Sequence, residues 1–372
     1  MWSRYATTTL LVPDAAVEAR RFASDVVDEV TGRAAEGAFA STDAALWALS
    51  RWRDGLPATA LAMLPPHDAV VVALDRLALR DRAATFGVPC VPMLSVTTGD
   101  DVEPALLRLQ QQHTERDGRL AALVRPIVPS FEREDGTRRV VAAIPVESLG
   151  DLRRLLYDRE DLVDGGCLIE PRPPGTYLGY GAVCRQGEVL AEVFQERLRE
   201  RGDLSGVSTL AQTIGVDQQM RASAKALLKG LKFNGPCLVE FTRGDDGIAR
   251  LVNLIPRLWG SLGLATQGGV NVPWLALRVA RGDDVTPGQV AAPGHVWRWV
   301  VGDLEVLAQR FGRLLSRVEG RGVIRRRAET LRELLDVRDL WRARPDVFEF
   351  DDPLPATLEM QQRLEEARGW LR

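Results

Sequence analysis

The run GPCLVEFTRGDDGIARLVNLIPRLWGS, residues 235–261, constrains the fold more than any other part of the chain. Two segments rich in β-branched and aromatic residues flank Asp245-Asp246-Gly247, which is turn chemistry, so the pair reads as an antiparallel hairpin. Side chains alternate along a strand. Leu251, Asn253, Ile255 and Arg257 therefore share one face, and Val252 and Leu254 the other. A face that reads apolar, amide, apolar, cation is not an ordinary core face. It sets an amide and a guanidinium where both can meet a polar group.

Before the hairpin the chain alternates. TTTLLVPD reads as a strand, AAVEARRFASDVVDEV as a helix and GAFAS as a short strand; DAALWALSRWRDGL is a helix behind the capping run Ser41-Thr42-Asp43. Strand, helix, strand, helix predicts a parallel sheet covered by helices, and residues 1–74 are assigned to such a domain. The dinucleotide fingerprint G-x-G-x-x-G is absent from it. AVVVALDRLALRDRAATFG reads as one helix closed by Gly87, and VPCVPML, stiffened by two prolines, as a linker.

Beyond the linker, DVEPALLRLQQQH predicts a helix, RLAALVRPIV and RRVVAAIPV strands, and SLGDLRRLLYD a helix capped by Ser148, together a compact α+β lobe. GGCLIEPRPPG, GYGAVCRQ and EVLAEVFQERLRE form a hairpin-rich antiparallel region that turns at Arg185-Gln186-Gly187, and SAKALLKGLKFNG is a helix leading to the hairpin. Residues 75–271 thus make a second domain, with lobes at roughly 95–170 and 171–271. Residues 272–372 are mainly helical, interrupted by PDVFEFDDPLP.

Composition excludes several chemistries. A chain of 372 residues with net charge −3 has no general attraction for polyanions, so nucleic acid is not the expected partner. The three lysines, Lys225, Lys229 and Lys232, lie on one helix face, which confines any lysine nucleophile or phosphate-binding lysine to that cluster. Cys90, Cys167, Cys184 and Cys237 form no C-x-x-C pair and read as buried thiols of a reducing compartment. His67, His113 and His295 show no metal-ligand spacing. With no signal peptide and no membrane-length apolar run, the expectation is a cytoplasmic protein.

Glu240-Phe241 on the first hairpin strand, with Pro256-Arg257 and Trp259-Gly260-Ser261 on and after the second, resembles the active-site hairpin of the ATP-grasp superfamily. The likeness is to the carboxylate-amine ligases related to carbamoyl phosphate synthase. It extends over nearly the whole chain. DRLALRDRAATFGVPCVP is similar to the helix leading into the nucleotide lobe, ALVRPIV to its phosphate-facing strand and CLIEPRPPG to its adenine-side hinge. FQERLRERGDLSGVST is similar to the arginine-bearing strand and the loop beyond, and SRWRDGLP and FEFDDPLP also match segments of this group. The resemblance implies an ATP-grasp fold of mixed α/β lobes, an N-terminal parallel-sheet domain lacking its first strand, and a helical C-terminal extension. It also implies ATP and magnesium as cofactors.

Such a site needs hard oxygen ligands for magnesium, an arginine fork for phosphate or acyl phosphate, and a cation facing the phosphates from the opposite lobe. Position by position, the resemblance assigns metal binding to Glu240 and Asn253 and catalysis to Arg257 and Arg197. Nucleotide binding falls to Arg125, Glu170, Gly175, Arg199 and Ser261. The departures from the pattern concern the metal. The family has glutamate where this chain has Asn253 and asparagine where it has Ile255, so Glu240 is the one anionic ligand left. Arg125 replaces the phosphate-facing lysine, and the hinge reads Glu170-Pro171, where proline lacks a backbone donor.

Each assignment has a plainer counterpart. Glu240 also reads as an edge carboxylate paired with an arginine, Arg257 as a salt bridge, and Asn253 as a loop cap. Arg197 and Arg199, two apart, would point together as a bridged surface pair or line a pocket. The tryptophans read as packing residues. Two functions follow. One is an ATP-dependent ligase joining a small-molecule carboxylate to an amine through an acyl phosphate. The other is a catalytically degraded homologue that binds a nucleotide or acidic metabolite and serves as a regulatory partner, with a protein encoded nearby as the candidate it would serve.

Overall fold

The computed structural model describes residues 3–112, 119–127, 130–132, 138–140, 144–159, 162–163, 166–171, 175–201, 207–315, 342–346 and 351–370. Residues 3–88 fold into helices α1 (Ala19–Gly32), α2 (Asp43–Arg51), α3 (Ala58–Ala62), α4 (His67–Leu74) and α5 (Arg76–Thr85), with no strand. The parallel sheet expected there is therefore corrected. The run at 7–12 is exposed on both sides, Leu10 at 46% and Leu11 at 95%, and has no apolar layer to pack on. The helices instead bury their apolar faces on one another around Ala23, Leu46, Leu49, Leu64 and Val70.

The single helix expected over residues 69–87 is broken at Asp75. Its backbone is extended, and its carboxylate accepts the amides of Leu77 and Ala78 at 2.9 Å each, so it caps α5 and ends α4.

The next lobe contains β1 (Leu94–Val96), α6 (Val102–Gln112), β2 (Arg119–Pro126), β3 (Ser130–Glu132), β4 (Arg138–Val140), β5 (Ile144–Ser148), α7 (Leu149–Asp158) and β6 (Cys167–Pro171). Its four-stranded sheet runs β1-β6-β2-β5, every pair antiparallel. Helices α6 and α7 cover it through Leu106, Leu109, Leu152 and Leu156. Ser148 caps α7, its hydroxyl accepting the Asp151 amide at 3.0 Å.

The remaining elements are β7 (Thr176–Arg185), β8 (Glu188–Glu200), β9 (Ser208–Thr213), α8 (Gln218–Gly230), β10 (Gly235–Arg243), β11 (Ala249–Ile255), α9 (Leu262–Gln267), α10 (Val272–Arg281), β12 (Gln289–Val290), β13 (Val296–Arg298), α11 (Val300–Leu315), β14 (Arg344–Pro345) and α12 (Leu354–Trp370). They build an eight-stranded sheet ordered β11-β10-β7-β8-β9-β13-β14, with β12 alongside β8. The expected hairpin is its edge pair β10–β11. The linker adds to that edge: Val91 donates to the Leu251 carbonyl at 3.0 Å, and Leu251 donates to Pro89 at 2.7 Å.

Two cores sandwich this sheet. On one side Tyr180, Phe194, Val239, Phe241 and Leu254 meet α4, α5 and α8. On the other, Val183, Val193, Leu238 and Trp259 meet α10. Lys225 belongs to the first side, where it and Arg221 reach the buried Glu192 carboxylate at 3.0 and 2.8 Å. After residue 272 the described chain consists of helices α10, α11 and α12 with loops between them, and strands β12–β14, which join the large sheet. Residues 348–350, the start of FEFDDPLP, lie outside the described residues, as do 172–174 of the hinge and 202–206 of the loop after β8. No helix among the described residues is long and apolar enough to cross a membrane.

Gly181 is required by close packing. A Cβ there would fall 2.7 Å from Cζ2 of Trp259, whose ring lies flush on β7. Gly181→Val should destabilise the protein by about 1–3 kcal/mol. Gly215→Ala, where nothing lies within 4 Å, should stay within about 0.5 kcal/mol. Denaturant unfolding of both variants checks the contrast, and equal stabilities would contradict the packing of Trp259.

Candidate functional site

A bulge shapes the centre of the hairpin. Glu240 pairs with Asn253 and Phe241 with Leu251, which leaves Val252 as an extra residue. Leu251 consequently packs with Phe241 in the first core, while Ile255 packs on the second. The uninterrupted face expected from simple alternation is thus broken between Leu251 and Asn253. A bulge bends a strand and re-aims one side chain, and here it brings the Asn253 amide over the neighbouring strand.

That amide meets Glu240. Asn253 Nδ2 donates to Glu240 Oε2 at 2.9 Å, and Arg197 Nη2 donates to Glu240 Oε1 at 2.7 Å. The pair is shielded, with side-chain exposures of 18% for Glu240 and 12% for Arg197. Arg197 is itself held on three further sides. Its Nε donates to Ser208 Oγ at 2.9 Å, its Nη1 to Glu200 Oε2 at 3.2 Å, and its guanidinium lies 5.2 Å from the centre of the Tyr177 ring. Beside this group Ser261 Oγ donates to Gln195 Oε1 at 3.1 Å, both residues buried. Gln195 can lie across β7 because Gly179 has no side chain; a Cβ there would stand 2.8 Å from Gln195 Cγ.

Arg199 does not join Arg197. The register of β8 against β9 shifts between them, and Arg199 reaches Asp303 of α11 instead. Arg257 also goes elsewhere: its Nε donates to Asp43 Oδ1 at 2.6 Å, at the start of α2, and its Nη1 to the Leu258 carbonyl at 3.0 Å. The structure therefore brings together Glu240, Asn253 and Arg197, with Ser261 close to Gln195, and gives Arg257 and Arg199 separate acidic partners.

The other assigned residues belong to the smaller sheet and the hinge. Arg125 on β2 and Glu170 on β6 form an ion pair, Nε to Oε2 at 3.0 Å, with side-chain exposures of 18% and 9%. Glu170 Oε1 is buried and accepts no hydrogen bond from a described residue. Gly175 starts the large sheet with φ +158, its Cα so close to β10 that a Cβ would stand 2.4 Å from the Arg243 carbonyl oxygen. Sequence reasoning gave Asp43 only a capping role and did not single out Ser208, Tyr177, Gln195 or Asp303. Gly179 and Gly181 in YLGYG were the available signal for Gln195; the others carry no motif.

The residues present do not fit a resident magnesium ion. Both oxygens of Glu240 already accept donors, and one of those donors is a cation. Asn253 turns an N–H, not an oxygen, toward the carboxylate. Among the described residues no group of three or more His, Cys, Asp or Glu could hold a metal. Magnesium needs several oxygens in near-octahedral array, and a guanidinium in contact with its one carboxylate opposes its entry.

No family model and no curated protein matches the sequence. Solved structures match the fold. The biotin carboxylase domain of 2-oxoglutarate carboxylase from Hydrogenobacter thermophilus, in complex with MgADP, ADP and bicarbonate, aligns with a TM-score of 0.54 and 15% identity, covering 72% of this chain and 58% of that one. An ATP complex of carboxyaminoimidazole ribonucleotide synthase from Aspergillus clavatus aligns at 0.55 and 14%, covering 78% and 70%. The L-amino acid ligase of Bacillus licheniformis aligns at 0.51 and 13%, covering 75% and 64%. This chain thus spans less than two thirds of the carboxylase domain and of the L-amino acid ligase. At such identities the matches establish architecture. With its smaller antiparallel sheet, larger sheet and edge hairpin, this chain has the ATP-grasp fold.

Proposed function

We propose that this chain binds an adenine nucleotide through its ATP-grasp fold without a resident magnesium, and acts as a nucleotide-responsive partner, not as a ligase. One observation carries this reading: Glu240 is already neutralised by the Arg197 guanidinium at 2.7 Å and by Asn253. A metal that clamps a transferring phosphoryl group supplies several kcal/mol of transition-state stabilisation, and its loss lowers turnover by thousands-fold or more. Binding suffers less, because arginine forks retain their attraction for phosphate. Glu170 supports the same reading. A buried acceptor left unpaired costs about 1–3 kcal/mol, which an exocyclic amine of a ligand would relieve.

Calorimetric titration with ATP tests the proposal directly. The affinities in EDTA and in excess magnesium should agree within about threefold, and no ADP should form with carboxylate and amine mixtures. A dependence on magnesium greater than about a hundredfold, or ADP release coupled to a carboxylate, would establish the ligase reading with a small-molecule acid and amine as substrates.

Restoring the family pattern gives an independent check. Asn253→Glu combined with Ile255→Asn supplies a second carboxylate and a carbonyl ligand, and should raise the magnesium dependence of ATP binding by at least about tenfold. An unchanged dependence in the folded double variant would remove Glu240 and Asn253 from the nucleotide site.

A further inference from the structure

Strands β8, β9 and β13 run side by side, and their register sets Arg199 and Arg298 opposite Leu210 from its two flanks. Both guanidiniums converge on Asp303 in the first turn of α11. Arg199 Nη1 donates to both carboxylate oxygens at 2.7 Å, and Arg298 Nε donates to Oδ2 at 2.7 Å. Thr209 Oγ1 completes the group at 3.1 Å from Oδ1. Asp303 is fully buried at 0%, while the arginine side chains are 10% and 12% exposed.

Charge and donors do not balance here. Among the described residues, one buried carboxylate holds two guanidiniums, so this group of three side chains carries a net charge of +1. Each guanidinium has five N–H donors. Arg199 uses only Nη1 and Arg298 only Nε toward described residues. The two side chains keep 10% and 12% of their surface exposed, which is the surface a ligand would meet. Among the described residues, Glu305 faces Arg201 and Arg363, Glu200 faces Arg197, and the Asp346 amide donates to the Arg298 carbonyl at 3.1 Å.

We propose that Arg199 and Arg298, oriented by Asp303, form a second binding site that takes the oxyanion group, carboxylate or phosphate, of a small molecule. Two forks fixed by one buried acid are pre-organised, so little side-chain entropy is lost when the anion arrives. The site draws on α11 and β13 and does not depend on the nucleotide reading. Asp303 positions the forks and would not touch the ligand.

The test uses the full chain without nucleotide. Succinate and inorganic phosphate are each titrated by calorimetry and by thermal unfolding against sodium chloride of equal ionic strength. One of the two should bind saturably beyond the salt control, and the tighter identifies the group. Arg298→Gln should weaken that binding by at least about tenfold. Asp303→Asn leaves the forks without the acid that fixes them and should weaken the same binding, by less than Arg298→Gln. Arg298→Lys retains the charge and should fold with intermediate affinity. A purely structural triad would give lower melting temperatures in all three variants with no change in the anion-dependent shift, and that result, or no binding beyond salt, overturns the proposal.

Discussion

The Glu240 carboxylate is the point on which the larger lobe's polar interior turns. It sits on β10, takes a guanidinium from β8 and an amide from its hairpin partner β11, and so ties three strands through one charge. Removing one partner of such a shielded pair typically costs about 3–5 kcal/mol, because the other charge is left uncompensated. The same arrangement that stabilises the sheet occupies the oxygens a metal would need. Structural closure and metal chemistry are alternatives at this carboxylate.

Arginine does most of the electrostatic work around it. Arg125 meets Glu170, Arg257 meets Asp43, Arg243 meets Asp217, and Arg199 and Arg298 meet Asp303. A planar fork can serve two acceptors at fixed angles, which a lysine ammonium cannot. The Arg257–Asp43 pair, together with Arg281–Glu36 and the Arg76 bond to the Val252 carbonyl at 2.7 Å, fastens the N-terminal helices to the hairpin and to α10. An arginine that the resemblance assigns to catalysis thereby ties the hairpin to the start of α2 in this structure.

Much of the fold was legible because local chemistry and tertiary context agree. The hairpin followed from its turn residues, α7 from Ser148, α2 from Thr42, and the buried Cys167, Cys184 and Cys237 from their apolar surroundings. The failures share a cause. TTTLLV has strand propensity but no partner strand, so it forms no strand and stays largely exposed; AVVVALDRLALRD has helical periodicity, but Asp75 uses its side chain on the backbone and breaks it. Strand pairing and capping compete with propensity, and only the packed chain decides between them.

The sequence by itself determined the β10–β11 hairpin, an amide in place of a carboxylate at position 253 and the confinement of lysine to one helix, because these are matters of residue identity and short-range spacing. The tertiary structure decided which cation meets which acid. Arg197 and Arg199 are two residues apart and looked equivalent, yet a single bulge sends one to Glu240 and the other to Asp303, more than a hundred residues away. Direction along a strand is a local property, but the partner at the end of a side chain is set by whatever the rest of the chain folds against it.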